Sequence, residues 1–85
     1  MPEDLLDMYC RRICAILRRK INARIFVNSD LANSEIDIEI DWYDFQYRCT
    51  ICRIHALVYR GISSEDIAEH VYKSYKEKLL GEAFL

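Results

Sequence analysis

Residues 35–42, "EIDIEIDW", alternate apolar and acidic side chains without a break. Successive side chains of a β-strand point to opposite faces. This period of two sends Ile36, Ile38, Ile40 and Trp42 one way and Glu35, Asp37, Glu39 and Asp41 the other. A helix would scatter both sets round its circumference. The segment reads only as a strand, with an apolar face to be covered and an acidic face left to water or to a partner.

The alternation resumes in "FQYRC", where Phe45, Tyr47 and Cys49 share a face. A tight turn at Tyr43 and Asp44 sets Trp42 opposite Phe45, Ile40 opposite Tyr47 and Ile38 opposite Cys49. On the other face Glu39 then meets Arg48 and Asp37 meets Thr50. Apolar faces apolar and acid faces base, as a hairpin register should arrange. Neither Asn-Gly nor Asp-Gly marks the turn, and a four-residue loop from Asp41 to Asp44 keeps the same faces. Upstream, "ARIFVNSD" is β-branched and ends in turn residues, which predicts one more short strand.

Helical periods frame these strands. In "PEDLLDMYCRRICAILRRKIN", Leu6, Cys10, Ile13, Leu17 and Ile21 form one stripe, flanked by Tyr9, Cys14 and Ile16. Pro2 and the acids Glu3, Asp4 and Asp7 suit the positive end of the helix dipole; Arg18, Arg19 and Lys20 suit its negative end. From about Thr50 the period changes again. Ile51, Ile54, Leu57 and Val58 predict a second helix, ended by Gly61 in the left-handed conformation. Ser63, with Asp66 three residues on, predicts the cap of a last helix. Its stripe is Ile67, Ala68, Val71, Tyr72, Tyr75 and Leu79, and Gly81 is expected to close it. The expected fold is a single α+β domain over residues 1–85: helix, three-stranded antiparallel sheet, two helices, with the helices on one face of the sheet.

A chain of 85 residues buries only about two-thirds of its unfolded surface, so its stability is modest unless a partner, metal or crosslink contributes. The 52% apolar content points to an efficient core or to apolar surface kept for a partner. One proline and two glycines exclude a low-complexity chain. No run reaches the ~18 apolar residues of a membrane span, and the acidic N-terminus is unlike a signal peptide. The expectation is a soluble protein of the cytoplasm, a reducing compartment in which an even cysteine count does not imply disulfides.

Cys10 and Cys14 stand four apart on the first helix, and Cys49 and Cys52 span the predicted start of the second. Two close thiol pairs, with His55 as a further donor, suit tetrahedral zinc. Zinc pairs usually sit on tight turns, however, and Cys10 belongs to an apolar stripe where free cysteine acts as a small hydrophobe. "CTIC" after a strand also has the position of a thioredoxin-like motif, but the only proline is Pro2, far from the site where that chemistry places one. The thiols read as core residues. No metal and no cofactor is expected.

Charge is uneven along the chain. Residues 1–24 carry six basic and three acidic side chains, whereas residues 25–45 carry six acids and no base. Glu35, Asp37, Glu39 and Asp41 stand ~7 Å apart along their strand. One reading is a solvated face. The sharper one is a negative ladder that, with Asp44, imitates phosphates and fills a basic groove of a protein partner. Arg11 with Arg18, and Arg12 with Arg19, share faces of the first helix and form an alternative, nucleic-acid-binding surface. The plainer reading lays these arginines over the sheet edge to offset the acids. "LVYRGISSEDIAEHV" has the layout of a helix-turn-helix, but its second helix opens with Glu65 and Asp66, which phosphates repel. His55 and His70 have no nucleophile pattern beside them, so no catalytic residue is assigned and no enzyme is expected.

"YRGISSEDIAEHVYKSYKEKLL" resembles the C-terminal helical part of small proteins of phages and integrative elements of Gram-positive bacteria. The order of elements, with acids on the sheet, is similar in layout to small phage anti-CRISPR inhibitors of Cas9. The likeness implies a non-enzymatic, protein-binding inhibitor of a host nuclease, acting in the bacterial host cell. It transfers no motif and so assigns no residue.

Overall fold

A computed structural model describes residues 3–83, with side chains from Leu5 to Gly81. Pro2 and the side chains of Glu3 and Asp4, expected to favour the first helix's start, lie outside the described parts. The elements are α1 (Glu3–Lys20), β1 (Arg24–Asp30), β2 (Glu35–Trp42), β3 (Phe45–Ile51), α2 (Ile54–Tyr59) and α3 (Ser64–Ala83). The strands form an antiparallel meander in the order β1-β2-β3. The helix–sheet–two-helix α+β order read from the sequence is the order observed.

The hairpin register is also as read. Trp42 pairs with Phe45, Ile40 with Tyr47, Glu39 with Arg48, Ile38 with Cys49 and Asp37 with Thr50. A two-residue turn joins the strands, with Tyr43 at φ 53°, where a non-glycine residue is uncommon. On the other side of β2, Ile25 pairs with Ile40, Phe26 with Glu39, Val27 with Ile38 and Asn28 with Asp37.

Helix α1 packs on β1 and α3, and α3 reaches over β3, so both long helices cover one face of the sheet. Leu6, Cys10, Ile13, Leu17 and Ile21 are buried against Ile25, Ile36, Ile38 and Ile40, with Ile67, Ala68, Val71 and Tyr75 closing the core from α3. Phe45 and Tyr47 each meet Tyr75 edge-on, at 5.8 and 5.9 Å between ring centroids. Such edge-to-face pairs contribute about 0.5–1.5 kcal/mol beyond burial. Tyr9 donates its hydroxyl proton to the Ile62 carbonyl at 2.8 Å and fastens α1 to the segment before α3.

The local signals around α2 and α3 resolve in detail. The Gly61 N–H bonds the Val58 carbonyl and the Ile62 N–H bonds the Leu57 carbonyl, each at 3.0 Å, with Gly61 at φ 86°. This is the Schellman stop that glycine favours. The Ser63 hydroxyl accepts the Asp66 N–H at 3.1 Å, and the Asp66 carboxylate accepts the Ser63 N–H at 3.2 Å. Two otherwise unpaired donors are thus satisfied reciprocally, a capping box with Asp in place of Glu.

Three expectations need correction. The second helix begins at Ile54, not near Thr50, because Thr50 and Ile51 stay in the β3 ladder and Arg53 at φ 56° breaks the chain direction. Gly81 does not close α3, which continues to Ala83; nothing there demands the left-handed conformation. Trp42, expected on the covered face with the isoleucines, is 42% exposed because the strand end runs past the helical layer's full cover.

Candidate protein-binding face

The face of the sheet turned away from the helices is ordered by the two registers. Across the three strands it presents Arg24–Asp41–Gln46, then Phe26–Glu39–Arg48, then Asn28–Asp37–Thr50, with Asp30 beside Glu35 at the far end. Strand parity therefore brings Glu35, Asp37, Glu39 and Asp41 onto one surface, while Asp44 sits in the exposed β2–β3 turn. With Asp30, five carboxylates share the face with two arginines, Arg24 and Arg48. A shallow depression of about 610 Å³ lies at its centre, floored by Phe26, Asp37, Glu39, Arg48 and Thr50.

The acids are not a uniform row. Arg48 Nε stands 2.8 Å from Glu39 Oε1, so the middle carboxylate is paired across the hairpin. Exposed pairs of this kind contribute about 0–1 kcal/mol. Asp37 Oδ1 accepts the Thr50 hydroxyl proton at 2.9 Å. Glu35 Oε2 lies 3.7 Å from the Cys52 thiol. Asp41 Oδ1 is buried without a hydrogen-bond partner among the described residues. Asp30 is held below the usual carboxylate range by the Asn33 side chain, with the Asn33 backbone N–H adding to it. Charge is therefore negative overall but interrupted: among the described residues Glu39 is the acid of this face held in an ion pair, and Glu35 and Asp37 meet only neutral partners.

Phe26 is the aromatic residue of the face that sequence reasoning missed, with Arg24 and Asp30 beside it on β1. It is 47% exposed in the second row, between solvent and the Glu39–Arg48 pair. Its signal was present, since in "RIFVNSD" Phe26 has the parity of Arg24 and Asn28, opposite that of Ile25. An aromatic ring inside a charged face is the composition that binding surfaces favour.

The arginines stand elsewhere. Arg11, Arg12, Arg18 and Arg19 are all exposed on the side of α1 away from its buried stripe, and hence in the helical layer. They do not offset the sheet's acids, which lie on the opposite face. Arg11 reaches Asp7 on its own helix at 3.4 Å; among the described residues Arg12, Arg18 and Arg19 form no ion pair.

The four thiols are free. Cys10 is in the core, where burial pushes its thiol up, with Asp7 adding to the effect. Cys14 approaches the Ile25 carbonyl at 4.0 Å. Cys49 lies within β3 and Cys52 in the link to α2, so this pair does not open a helix as the sequence suggested. Among the described residues no three His, Cys, Asp or Glu side chains gather to hold a metal ion. His55 has a structural part: its N–H donates to the Ser34 hydroxyl oxygen at 3.1 Å, and its Nδ1 faces that same hydroxyl.

No helix among the described residues is long and apolar enough to cross a membrane. No protein-family model matches the chain, nor does any curated protein or solved structure.

Proposed function

We propose that this chain is a non-enzymatic binding module that docks a basic protein surface on its open sheet face. The observation that carries the reading is that face itself: five carboxylates and two arginines around the exposed ring of Phe26, with both long helices on the other side. Clustered charge of one sign steers association, and an apolar anchor inside it supplies short-range affinity. The Glu39–Arg48 pair narrows the idea of a phosphate-like ladder to a mixed face of net negative charge. A nucleic-acid-binding groove of a host nuclease, the partner class that the resemblance in layout to anti-CRISPR inhibitors implies, would offer the complementary charge.

A second reading is favoured by Arg12, Arg18 and Arg19, which form no ion pair among the described residues and suit phosphate contacts. The two surfaces occupy opposite sides of the molecule, so one experiment separates them. Wild type, Glu35→Lys with Asp37→Lys, and Arg12→Ala with Arg19→Ala are used as baits in a bacterial lysate, with captured proteins and nucleic acid both identified. Loss of a captured protein on the acidic reversal alone supports the first reading. Salt-sensitive nucleic-acid capture that vanishes only in the arginine variant replaces it with the second.

A further inference from the structure

Where the open face ends at the β2–β3 turn, the chain reads Asp41-Trp42-Tyr43-Asp44, and Tyr43 is 89% exposed. The Tyr43 and Trp42 rings meet edge to face, 5.1 Å apart and 73° between planes. Such a pair makes a steep corner of two π-faces. Tyr43 holds this position at φ 53°, where asparagine or glycine would be the usual turn residue. Strained backbone of this kind is found disproportionately at ligand sites. Below the corner lies a second depression of about 610 Å³, continuous with the first row of the open face and lined by Asn22, Arg24, Asp41, Trp42, Tyr43 and Gln46. Among the described residues Asp41 Oδ1 has no hydrogen-bond partner, and Arg24, its register partner, forms no ion pair with it.

We infer that this corner receives an arginine side chain of the protein partner, with the guanidinium plane against Trp42 and Tyr43 and its charge beside the Asp41 carboxylate that lines the same depression. Three features converge on that occupant. Aromatic faces attract cations, and arginine stacks on them better than lysine does. The Asp41 carboxylate lines the same depression and sets a negative charge beside the two rings. The adjoining face is net negative, which draws basic segments toward the corner. The inference rests on the reading of the open face as the docking surface, and it names the partner group that reaches this end of it.

Trp42 is the chain's only tryptophan, so its emission reports on the corner directly. The full chain is titrated with a blocked, flexible peptide containing several arginines, and with the same peptide carrying neutral citrulline instead. The expected result is a saturable change in Trp42 emission with the arginine peptide and binding weaker by at least about tenfold with citrulline. Tyr43→Asn, which suits the left-handed turn and removes the ring, should weaken the arginine peptide about three- to tenfold, and Tyr43→Phe should restore it. Equal binding of the two peptides, or a Tyr43→Asn variant that binds like wild type, overturns the inference. Glu35→Lys with Asp37→Lys distinguishes its failure from that of the wider reading. If that reversal abolishes binding while Tyr43→Asn does not, the corner is refuted and the open face stands; the opposite pattern keeps the corner and removes the face.

Discussion

Helix α2 has six residues and one buried side chain, Ile54, and Arg53 before it supplies no side-chain cap. Its start is instead held by Ser34 from the β1–β2 loop. The Ser34 carbonyl accepts the Ile54 N–H at 2.9 Å, and its hydroxyl oxygen accepts the His55 N–H at 3.1 Å. Ser34→Ala deletes the second bond together with the hydroxyl's contact to His55 Nδ1, and leaves a half-buried donor without its partner. Loss of a capping hydroxyl costs about 0.5–2 kcal/mol, with ~1 typical. For a domain of this size that is a fall in melting temperature of about 4–8 °C per kcal/mol. Ser34 also stands at φ 54°, so Ser34→Gly removes the same hydroxyl but relieves the left-handed backbone, and it should cost less than Ser34→Ala by about 0.5–1 kcal/mol. Urea unfolding measures both variants, and hydrogen exchange at the His55 amide shows whether the loss is local. If Ser34→Ala changes stability by under about 0.3 kcal/mol and leaves His55 exchange unaltered, capping from a distant loop is refuted.

Ile38, 2% exposed at the centre of the sheet, should cost about 2–5 kcal/mol when changed to alanine, enough to populate unfolded chains in a thermal melt at moderate temperature. Burial, helped by the neighbouring Cys49 thiol, raises Tyr47 from its ordinary value of 10.0 to about 12. The unfolded tyrosine gives up its proton first, so Tyr47 contributes fully below about pH 10 and stability falls from there toward pH 12. Tyr47→Phe should flatten that fall in pH-dependent denaturation. Thiol labelling of the native protein should modify exposed Cys52 first and buried, upward-shifted Cys10 last; equal rates would contradict the packing assigned to α1.

The sheet was legible because its signals are redundant. In residues 35–49 the alternation, the Glu39–Arg48 pairing and the match of isoleucines to aromatics all select one register. The stripe of α1 and the Ser63–Asp66 box were equally local. The start of α2 was not, because its cap comes from Ser34, twenty-one residues away, and Ile51 satisfies a strand as well as a helix stripe. Trp42 obeys strand parity but ends up half outside, since parity cannot say where the helical cover stops. For the candidate face, strand period placed the four acids of β2 together. Phe26, Asp30 and Arg24 joined them only through the β1–β2 register, for which the short β1 sequence carries little pattern of its own.

The most direct test of docking on the open sheet face is residue-by-residue mapping of amide NMR shifts on titration with the partner captured by wild type. The account predicts that the largest changes fall on Phe26, Asn28, Asp37, Glu39 and Arg48, the residues around the central depression. It also predicts that Arg11, Arg12, Arg18 and Arg19, on the far side of the molecule, stay unmoved. Shifts concentrated on those arginines of α1, with the open face silent, would contradict it.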